Sequence, residues 1–479
     1  MKFGGTSVGD ALCIRRAAEI VAAASGTGEV VVVVSAMSGV TNRLITAAHA
    51  AAKGDERVPL ELAAALRAQH AAAIDELIAD ETRRAQILID VECVIDEAAS
   101  LCRGVALARE LSPRNLDSIA GVGERLSARV VAGAVCELNV RGAAIEANEL
   151  IVTNDDYGQA EPLLNETRVR ANARLAPLIA EGVVPVVTGF IGATIEGVQT
   201  TLGRGGSDYS ATILGAALDA AEVIIWTDVD GVMTADPRLV KDARTLREIS
   251  YNEAAELAFF GAKVLHPKTL RPITEAGIPV WIRNSFAPER MGTKITLTGR
   301  ADARHSVKAV TAINHVSLIT VGGRGIVGVI GIAAQTFTAA ASVRANVLLI
   351  SQSSSENDIC FIVDARDAER TMQALRETFA ANLAHQQIEH VTLDSEIAIV
   401  AVVGEKMRGT PGIAGRTFSV LGRCGINIIA IAQGSSEYNV SFVVKASEMQ
   451  QAIVAVHNEF NLHRRDSRFE LQERALAKV

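Results

Sequence analysis

The sequence of 479 residues is short of several features that mark particular classes of protein. It has no run of about 18 consecutive apolar residues, which a membrane-spanning helix needs. Its formal net charge of −8 is not the basic excess that nucleic-acid binding requires. The N-terminus opens on Lys2 and Phe3 without a basic stretch and an apolar run, so no signal peptide is predicted. We therefore predict a cytoplasmic protein that binds neither membranes nor nucleic acid.

The cysteines also lack the spacing of a redox or metal site. None of the cysteines forms a CxxC pair or lies near histidine at metal-ligand spacing, so no metal site built from protein ligands is predicted. Their apolar surroundings indicate reduced thiols in a reducing compartment. The six positions are Cys13, Cys93, Cys102, Cys136, Cys360 and Cys424.

What the chain does have is a buried α/β pattern in its first part. β-branched runs predict strands buried on both faces at 29–35, 183–190, 222–228 and 278–283. Ala-rich helical stretches, such as 59–79 and 124–138, separate these runs, which favours a mostly parallel sheet covered by helices. Residues 44–111 are nearly all helical in pattern and predict a helical insertion. A polar cluster at 299–306 indicates a domain boundary.

The last third contains an internal repeat. A shift of 81 residues aligns two segments without gaps, and places Gly323 on Gly404, Phe337 on Phe418 and Asn346 on Asn427. Each copy has the pattern of strand, Gly-rich loop, helix, strand, polar turn, strand and helix. The turns QSSSEND and QGSSEYN each join two apolar, β-rich flanks. We predict two βαββα units that pair side by side in one sheet.

Two glycine-rich clusters have the composition of anion-binding loops. Residues 2–7 (KFGGTS) combine a lysine, two glycines and two hydroxyls, and residues 203–210 (GRGGSDYS) place two glycines beside arginine and serine. Glycine lets backbone N–H groups approach a phosphate closely, and a following helix directs its positive end at the anion. Neither cluster is the P-loop pattern, and each one alone is also compatible with an ordinary turn.

Two further clusters carry polar groups beyond apolar segments. Residues 226–231 (WTDVDG) end an apolar strand, where α/β sheets place ligands, and 236–238 (DPR) follow them. In residues 260–267 (FGAKVLHP), Lys263 could meet nucleotide phosphates or could be a solvated helix lysine. For His266 we prefer a structural role.

The order of these motifs resembles that of the aspartate kinases, in the amino-acid kinase superfamily. The resemblance rests on KFGGTSV, SAMSGVTN, GVGE, GRGGSDYSA, WTDVDGV and FGAKVLHP in sequence, and the 81-residue repeat is similar to the family's tandem ACT domains. It implies an α/β fold: a three-layer amino-acid kinase sandwich with a mostly parallel central sheet, followed by two ferredoxin-like βαββαβ ACT units. The implied ranges are a catalytic domain at 1–298, a linker at 299–310, ACT domains at 311–390 and 391–460, and a tail at 461–479 that could add a strand to the first ACT domain.

The resemblance also implies roles for single residues. Arg204 would bind a substrate carboxylate, and Glu124 would face the substrate ammonium group. The catalytic positions are Lys2, Gly4, Gly5 and Asp208. The aspartate-binding positions are Ser35, Thr41, Glu124, Arg204, Gly205, Gly206 and Ser207. The nucleotide-binding positions are Thr227, Asp228, Met233, Arg238 and Lys263, and the effector-binding positions are Gln352, Ser353 and Gln433.

The implied reaction transfers the γ-phosphoryl group of ATP to the side-chain carboxylate of L-aspartate, the first step of lysine, threonine and methionine biosynthesis. The acceptor carboxylate is already ionised near pH 7, so catalysis needs in-line positioning and cationic stabilisation by Lys2 and Lys263. Mg²⁺ is expected to arrive with ATP. Many family members have several residues before the lysine. Either the first strand is shortened here, or the true start lies upstream of Met1, and we expect the chain that begins at Met1 to be less active or less stable for it. Met233 stands where a tyrosine is common beside the nucleotide.

The two polar turns resemble the threonine-sensitive branch, so threonine is the favoured feedback effector and lysine the second. Alternatively, the turns only build the interface of a homo-oligomer formed through the ACT domains. Kinase activity alone is expected, because no dinucleotide-binding GxGxxG unit follows. Two other interpretations remain: a kinase for glutamate or another acidic amino acid, and a catalytically impaired amino-acid sensor.

Overall fold

A computed structural model describes residues 1–262, 265–299, 306–324, 329–352, 357–434 and 438–464. Lys263, Ser353 and the predicted tail strand beyond residue 464 lie outside these ranges. The chain separates into two compact units. The first unit contains Met1–Val232, Arg247–Ala255 and 265–299, and the second contains 233–246, 256–262 and the described residues from 306 onward. Two segments that precede residue 298 therefore cluster with the second unit. The predicted domain boundaries stay predictions.

Eight described strands of the first unit form one sheet, in the order β3-β4-β2-β1-β7-β9-β10-β8. A separate two-stranded sheet pairs β5 with β6. The strands are β1 (Lys2–Phe3), β2 (Val32–Val34), β3 (Arg141–Ile145), β4 (Val183–Thr188), β5 (Ile191–Ala193), β6 (Gln199–Thr201), β7 (Val223–Thr227), β8 (Glu248–Ser250), β9 (Val280–Asn284) and β10 (Thr293–Thr296).

The sheet is mostly parallel, as the buried β-branched runs predicted. Every adjacent pair from β3 to β9 is parallel, and only β9 and β10 run antiparallel. β2, β4 and β3 lie on one side of β1. The next strand of this sheet along the chain, β7, lies on the other side of β1. The strand order therefore reverses at β1, and in open α/β sheets ligands bind beyond the carboxyl ends of the strands at such a point.

Helices cover both faces of this sheet and confirm the three-layer sandwich. α1 and α6 pack on one face, and α7, α8 and α10 on the other. None of the helices in the described ranges has the length and apolar composition needed to cross a membrane. The helices of this part of the chain are α1 (Ala11–Ser25), α2 (Val40–Ala52), α3 (Arg57–Leu77), α4 (Glu81–Ala108), α5 (Pro113–Ala120), α6 (Val122–Cys136), α7 (Leu164–Ala180), α8 (Gly206–Ala217), α9 (Tyr251–Phe259) and α10 (Pro267–Thr274).

The predicted helical insertion is present as α2, α3 and α4. These helices pack against one another and against α6, and share one apolar core with α1. Asp10 begins α1 and Asp80 begins α4 as N-caps, each accepting a hydrogen bond from the backbone N–H three residues later. The insertion therefore adds a helical layer to one face of the sandwich.

The second unit confirms the predicted pair of βαββα repeats in one sheet. Six described strands lie in the order β12-β13-β11-β14-β16-β15, and all adjacent pairs are antiparallel. The first repeat contains β11 (Ala309–Gly322), α11 (Ile332–Ser342), β12 (Val347–Gln352), β13 (Asp358–Asp364), α12 (Ala365–Thr378) and α13 (Ala380–Ala384). The second contains β14 (His390–Val403), α14 (Ile413–Arg423), β15 (Ala430–Ala432), β16 (Asn439–Lys445) and α15 (Met449–Glu459).

The two long strands complete each other's repeat. Residues 316–322 of β11 pair with β13, and residues 390–394 of β14 lie on their other side. Residues 397–403 of β14 pair with β16, and residues 309–313 of β11 lie beside them. A register shift between Ile313 and Val316, where His315 has a φ of 58°, separates the two halves of β11. Each repeat thus gains its fourth strand from the other, which gives the ferredoxin-like units expected.

Candidate active site

The five neighbouring parallel strands β4, β2, β1, β7 and β9 of the first unit end at one edge of the sheet. Backbone hydrogen bonds continue beyond the strand ends, from Gly4 N to Trp226 O at 3.1 Å and from Gly189 N to Val34 O at 2.8 Å. Parallel strands present their carboxyl ends together, so the loops that follow them gather at this edge. The residues that follow the strands are Gly4, Ser35, Gly189, Asp228 and Ser285.

Lys2 lies at the centre of this edge and is paired with Asp208. Lys2 Nζ is 2.6 Å from Asp208 Oδ1, and the two side chains are only 9% and 19% exposed. Asp208 belongs to the first turn of α8, whose N-terminus adds backbone N–H groups and a positive dipole end. The next residue, Phe3, points to the opposite face and stacks on Trp226. The pairing therefore places a cation and a helix N-terminus where an anion can bind.

The terminus is held in the sheet. Lys2 and Phe3 pair with β2 on one side and β7 on the other. The Met1 carbonyl accepts a hydrogen bond from Val33 N at 2.8 Å. These contacts hold Lys2 in the sheet despite the short strand. The expected loss of activity or stability stays a prediction.

Glu124 places a buried carboxyl group near Lys2. It lies in the first turn of α6 and is 3% exposed. Burial raises the pKa of its carboxyl to about 8, although the Ala36 backbone N–H and the charge of Lys2 act to lower it. Among the described residues, its Oε2 atom has no hydrogen-bond partner. A buried carboxyl in this state is suited to a cationic ligand group.

Glycines allow the loops to approach one another closely. A Cβ atom on Gly5 would lie 3.0 Å from the Ala36 carbonyl, and one on Gly4 would lie 3.5 Å from Lys2 Nζ. Ser38 Oγ donates a hydrogen bond to the Gly5 carbonyl at 3.2 Å. The loop after β1 is thus packed against the loop after β2, and a side chain at Gly5 would press on the Ala36 carbonyl.

The other predicted aspartate positions also belong to the first unit. Ser35 is half-buried after β2, and Thr41 is half-buried in the first turn of α2, which begins after Gly39. Arg204 is exposed on the loop that leads to α8, and Ser207 is buried in the first turn of that helix. Gly205 adopts a φ of 70° at the helix start, which favours glycine. Gly206 opens the helix.

The predicted nucleotide positions are divided between the two units. Thr227 ends β7 in the first unit, and its hydroxyl donates to Asp228 Oδ1 at 3.2 Å. Met233 and Arg238 belong to the second unit. The Arg238 guanidinium is exposed and pairs with Asp236, with Nη2 2.5 Å from Oδ2. Lys263 lies outside the described residues.

The predicted effector residues lie at the ends of two repeat-related strands. Gln352 is the last residue of β12, and Gln433 follows β15. Both side chains are exposed. Both glutamines are therefore at the surface of the second unit, while Ser353 lies outside the described residues.

His266 has the structural role that we preferred. It begins α10 as the N-cap, and its Nδ1 atom accepts a hydrogen bond from Lys268 N at 3.3 Å. Partial burial, with the nearby charges of Arg204 and Lys268, lowers the pKa of its imidazole. A neutral ring is the form that can accept this hydrogen bond.

Two residues at the edge, Gly189 and Ser285, were missed by reasoning from sequence, whereas Ser7 lies in the predicted cluster 2–7. Ser7 Oγ lies 2.8 Å from Ser285 Oγ and joins the loop after β1 to the loop after β9. Gly189 follows β4 and lies against Ser207. A usable signal was present, because Gly189 lies near the end of the predicted strand 183–190 and Ser285 lies two residues beyond the predicted strand 278–283.

Replacing Gly189 with alanine should destabilise this edge. The added Cβ would lie 2.6 Å from Ser207 Cβ and 2.9 Å from the Val34 carbonyl. We expect a loss of about 1–3 kcal/mol in unfolding free energy, measured by chemical denaturation, because the backbone cannot move aside cheaply. Gly104→Ala in α4 is the matched control, since a Cβ there meets nothing within 4 Å. It should instead stabilise the helix by about 0.5–1 kcal/mol. Equal effects of the two variants would contradict the close packing of Gly189.

Within the described ranges, no group of three or more His, Cys, Asp or Glu side chains could hold a metal ion. The positive charge at this edge of the sheet comes from Lys2 and from the N-terminus of α8. A lysine at the switch point of a parallel sheet, beside a helix N-terminus and two glycine-rich loops, is the site of an α/β enzyme that handles phosphoryl groups.

Comparisons with known proteins extend this assignment. Residues 1–284 match the model of the amino acid kinase family, and residues 319–379 and 400–460 each match an ACT domain model. The structure of aspartokinase III from E. coli in complex with aspartate and ADP (R-state) is similar, with a TM-score of 0.78 and 32% identity over 96% of this chain and 99% of that one. The lysine and aspartate complex (T-state) of the same enzyme gives a TM-score of 0.78 at 31% identity, covering 96% of this chain and 98% of that one.

Among curated proteins, chloroplastic bifunctional aspartokinase/homoserine dehydrogenase 2 of Arabidopsis thaliana is 36% identical over 97% of this chain and 50% of its own length. Chloroplastic aspartokinase 1 of the same plant is 31% identical over 96% of this chain and 79% of its own length. The chain thus spans about half the length of the bifunctional relatives. It belongs to the aspartokinase family.

Proposed function

We propose that the chain catalyses the ATP-dependent phosphorylation of L-aspartate to 4-phospho-L-aspartate, the entry step to lysine, threonine and methionine biosynthesis. The observation that carries the proposal is the Lys2–Asp208 pair at the N-terminus of α8, beside the buried carboxyl of Glu124. Together these groups offer one site for a phosphoryl anion and another for an ammonium group.

The reaction forms one bond and breaks one. An oxygen of the aspartate β-carboxylate attacks the γ-phosphorus of ATP, and the bond from that phosphorus to the β,γ-bridging oxygen breaks to release ADP. Lys2 and the backbone N–H group of Gly5 stabilise the charge on the transferring group. The Gly4 N–H group is bonded to the Trp226 carbonyl, so Gly4 contributes by leaving space beside Lys2 Nζ. No general base is required, because the acceptor carboxylate is already ionised near pH 7. Asp208 orients Lys2 through the 2.6 Å ion pair.

Aspartate is recognised at both ends in this proposal. Glu124 faces the ammonium group, and Arg204 binds a carboxylate through two parallel N–H···O hydrogen bonds. Ser35, Thr41 and Ser207 supply hydroxyl groups around them, and Gly205 supplies a backbone donor. The Gly206 N–H group is bonded to the Gly203 carbonyl at 3.0 Å, so Gly206 shapes the start of α8. Burial of Glu124 supports this assignment, because a buried acid gains most from a cationic partner.

ATP is bound by Thr227, Asp228, Met233, Arg238 and Lys263 in this proposal. The described residues offer no cluster of metal ligands, so Mg²⁺ is proposed to enter with the ATP phosphates. When bound, it neutralises phosphate charge. The protein's own contribution is the positioning of the nucleotide and the acceptor by the strand ends around β1.

The ACT repeats are proposed to bind an amino-acid effector, with threonine favoured and lysine second. The exposure of Gln352 and Gln433 at related turns supports two equivalent effector positions. Inhibition requires the effector to bind an inactive arrangement more tightly, with a coupling of about 1–3 kcal/mol. A homo-oligomer formed through the ACT domains and a cytoplasmic location complete the proposal.

The test measures turnover of MgATP with aspartate, with glutamate and without an acceptor. Hydroxylamine traps the acyl phosphate product as a hydroxamate. Aspartate-dependent hydroxamate is the expected product, and its formation should fall when threonine is added. Faster turnover with glutamate would favour the other acidic amino-acid kinase. Absence of turnover, combined with a threonine-dependent rise in Tm, would identify a sensor instead.

The predicted dependence on threonine has its own control. Replacing Gln352 or Gln433 with alanine should weaken inhibition without changing turnover in the absence of threonine. Inhibition by lysine but not by threonine would overturn the effector assignment and leave the reaction untouched.

A further inference from the structure

The segment 233–246 is a hairpin that belongs to the second unit. Met233 and Thr245 form an antiparallel bridge, and Thr234 N donates to the Arg244 carbonyl at 2.8 Å. Met233 and Arg238, two of the proposed nucleotide residues, lie on this hairpin.

One buried hydrogen bond joins the hairpin to the last helix of the second repeat. Thr234 Oγ1 lies 3.0 Å from His457 Nε2, and both side chains are 0% exposed. The same hydroxyl accepts a hydrogen bond from Arg244 N at 3.1 Å, so its own proton is directed to His457. Burial, together with His463 and Arg244, lowers the pKa of His457 to about 4, while Asp242 opposes the shift. The neutral ring is thus the acceptor.

Other contacts anchor the same hairpin. Arg244 Nε donates to the Leu462 carbonyl at 2.6 Å, and Val310 N donates to the Thr234 carbonyl at 2.8 Å. Ala235 and Val240 are buried in the apolar core of the second repeat, which includes Phe442. The hairpin is therefore an integral part of the repeat's core.

A second segment is attached to the same repeat. Asn439, the first residue of β16, donates from Nδ2 to Glu256 Oε2 at 2.5 Å. Thr311 Oγ1 donates to the Phe260 carbonyl at 2.9 Å. Residues 256–262 are thus held by β11 and β16 of the second unit.

We propose that His457 is a positioning residue for nucleotide binding: through Thr234 it holds the hairpin that carries Met233 and Arg238. The second ACT repeat then sets the affinity for ATP rather than for aspartate. This inference rests on the proposed function of those two residues as nucleotide ligands.

The test compares Thr234→Val with wild type. Valine has the shape of threonine but no hydroxyl, so it leaves His457 Nε2 and Arg244 N without that partner. We expect the KM for ATP and the Kd for ADP, the latter measured calorimetrically without aspartate, to rise roughly three- to tenfold. The KM for aspartate should stay near its wild-type value.

His457 is tested by two substitutions. His457→Leu should reproduce the change in nucleotide affinity, whereas His457→Gln keeps a side-chain amide that can accept the Thr234 proton and should recover most of it. In the double variant with Thr234→Val and His457→Leu, the effect should not exceed that of the larger single change, because both remove the same hydrogen bond.

Thr417→Val is the matched control. Thr417 is also 0% exposed in the second repeat, but its hydroxyl bonds to the Ile413 carbonyl within its own helix, at 2.9 Å. It should lower Tm as Thr234→Val does, without changing the Kd for ADP. An equal change in ADP affinity for both variants, or none for either, would overturn the proposal. If wild type binds ADP but phosphorylates no acidic amino acid, the proposed reaction fails and the binding measurements still decide the role of His457.

Discussion

Lys2→Met is expected to lower kcat by roughly 10²–10³-fold. Methionine has nearly the length of lysine, so the side chain still fills its place at the sheet. The substitution removes the ammonium group that Lys2 places at the strand ends. Loss of one preorganised donor to a developing anion has an effect of this size. The measurement is hydroxamate formation under saturating ATP and aspartate.

The same variant leaves Asp208 without its 2.6 Å partner, so some loss of stability is expected too. Lys268→Met separates the two effects, because Lys268 also forms an ion pair, with Glu161 at 3.0 Å, and is 22% exposed. Its kcat should stay near wild type. If both variants lost turnover equally, or if Lys2→Met retained full turnover, Lys2 would not be the group that stabilises the phosphoryl charge.

Glu124→Gln is expected to act in opposite directions on binding and on stability. The KM for aspartate should rise roughly 10–100-fold, because a buried charge partner for the ammonium is lost. Tm should rise at neutral pH, because the folded protein no longer keeps a carboxyl group buried. A stability–activity trade-off of this kind is common at binding sites. Thermal unfolding and the aspartate dependence of turnover measure the two changes.

The pH dependence follows from the raised pKa of Glu124. With a folded pKa of about 8, against an ordinary value of 4.5, this group lowers stability progressively as pH rises from about 4.5 to 8. Binding has the opposite sign, because the ammonium favours the ionised carboxylate. The wild-type KM for aspartate should therefore fall as pH rises from 6 to about 8, and the Glu124→Gln variant should lack this slope. A parallel slope in both proteins would assign the dependence to another group.

The sequence alone was enough for the elements and the repeat. The runs at 29–35, 183–190, 222–228 and 278–283 became β2, β4, β7 and β9, because β-branched side chains buried on both faces favour parallel strands. The strands were shorter than the runs. The 81-residue repeat predicted the order of elements in both halves of the second unit, because turn and apolar positions recur together.

The sequence did not reveal which elements would share a core. Residues 233–246 follow β7 along the chain, yet they belong to the core of the second repeat. Likewise, each long strand of the second unit completes the other repeat. Patterns within a short stretch of sequence do not predict such contacts, because hydrogen bonds and packing between distant segments depend on the whole topology.

The sequence by itself determined the strands, the helical insertion, the repeat and the residue types of the site. Only the tertiary structure decided that β1 lies at the switch point, that Lys2 meets Asp208 and that Glu124 is buried enough to raise its pKa to about 8. The physical reason is that composition specifies which groups can carry charge. Burial and neighbours, which arise only when distant segments pack together, fix the protonation state and the partner of each group.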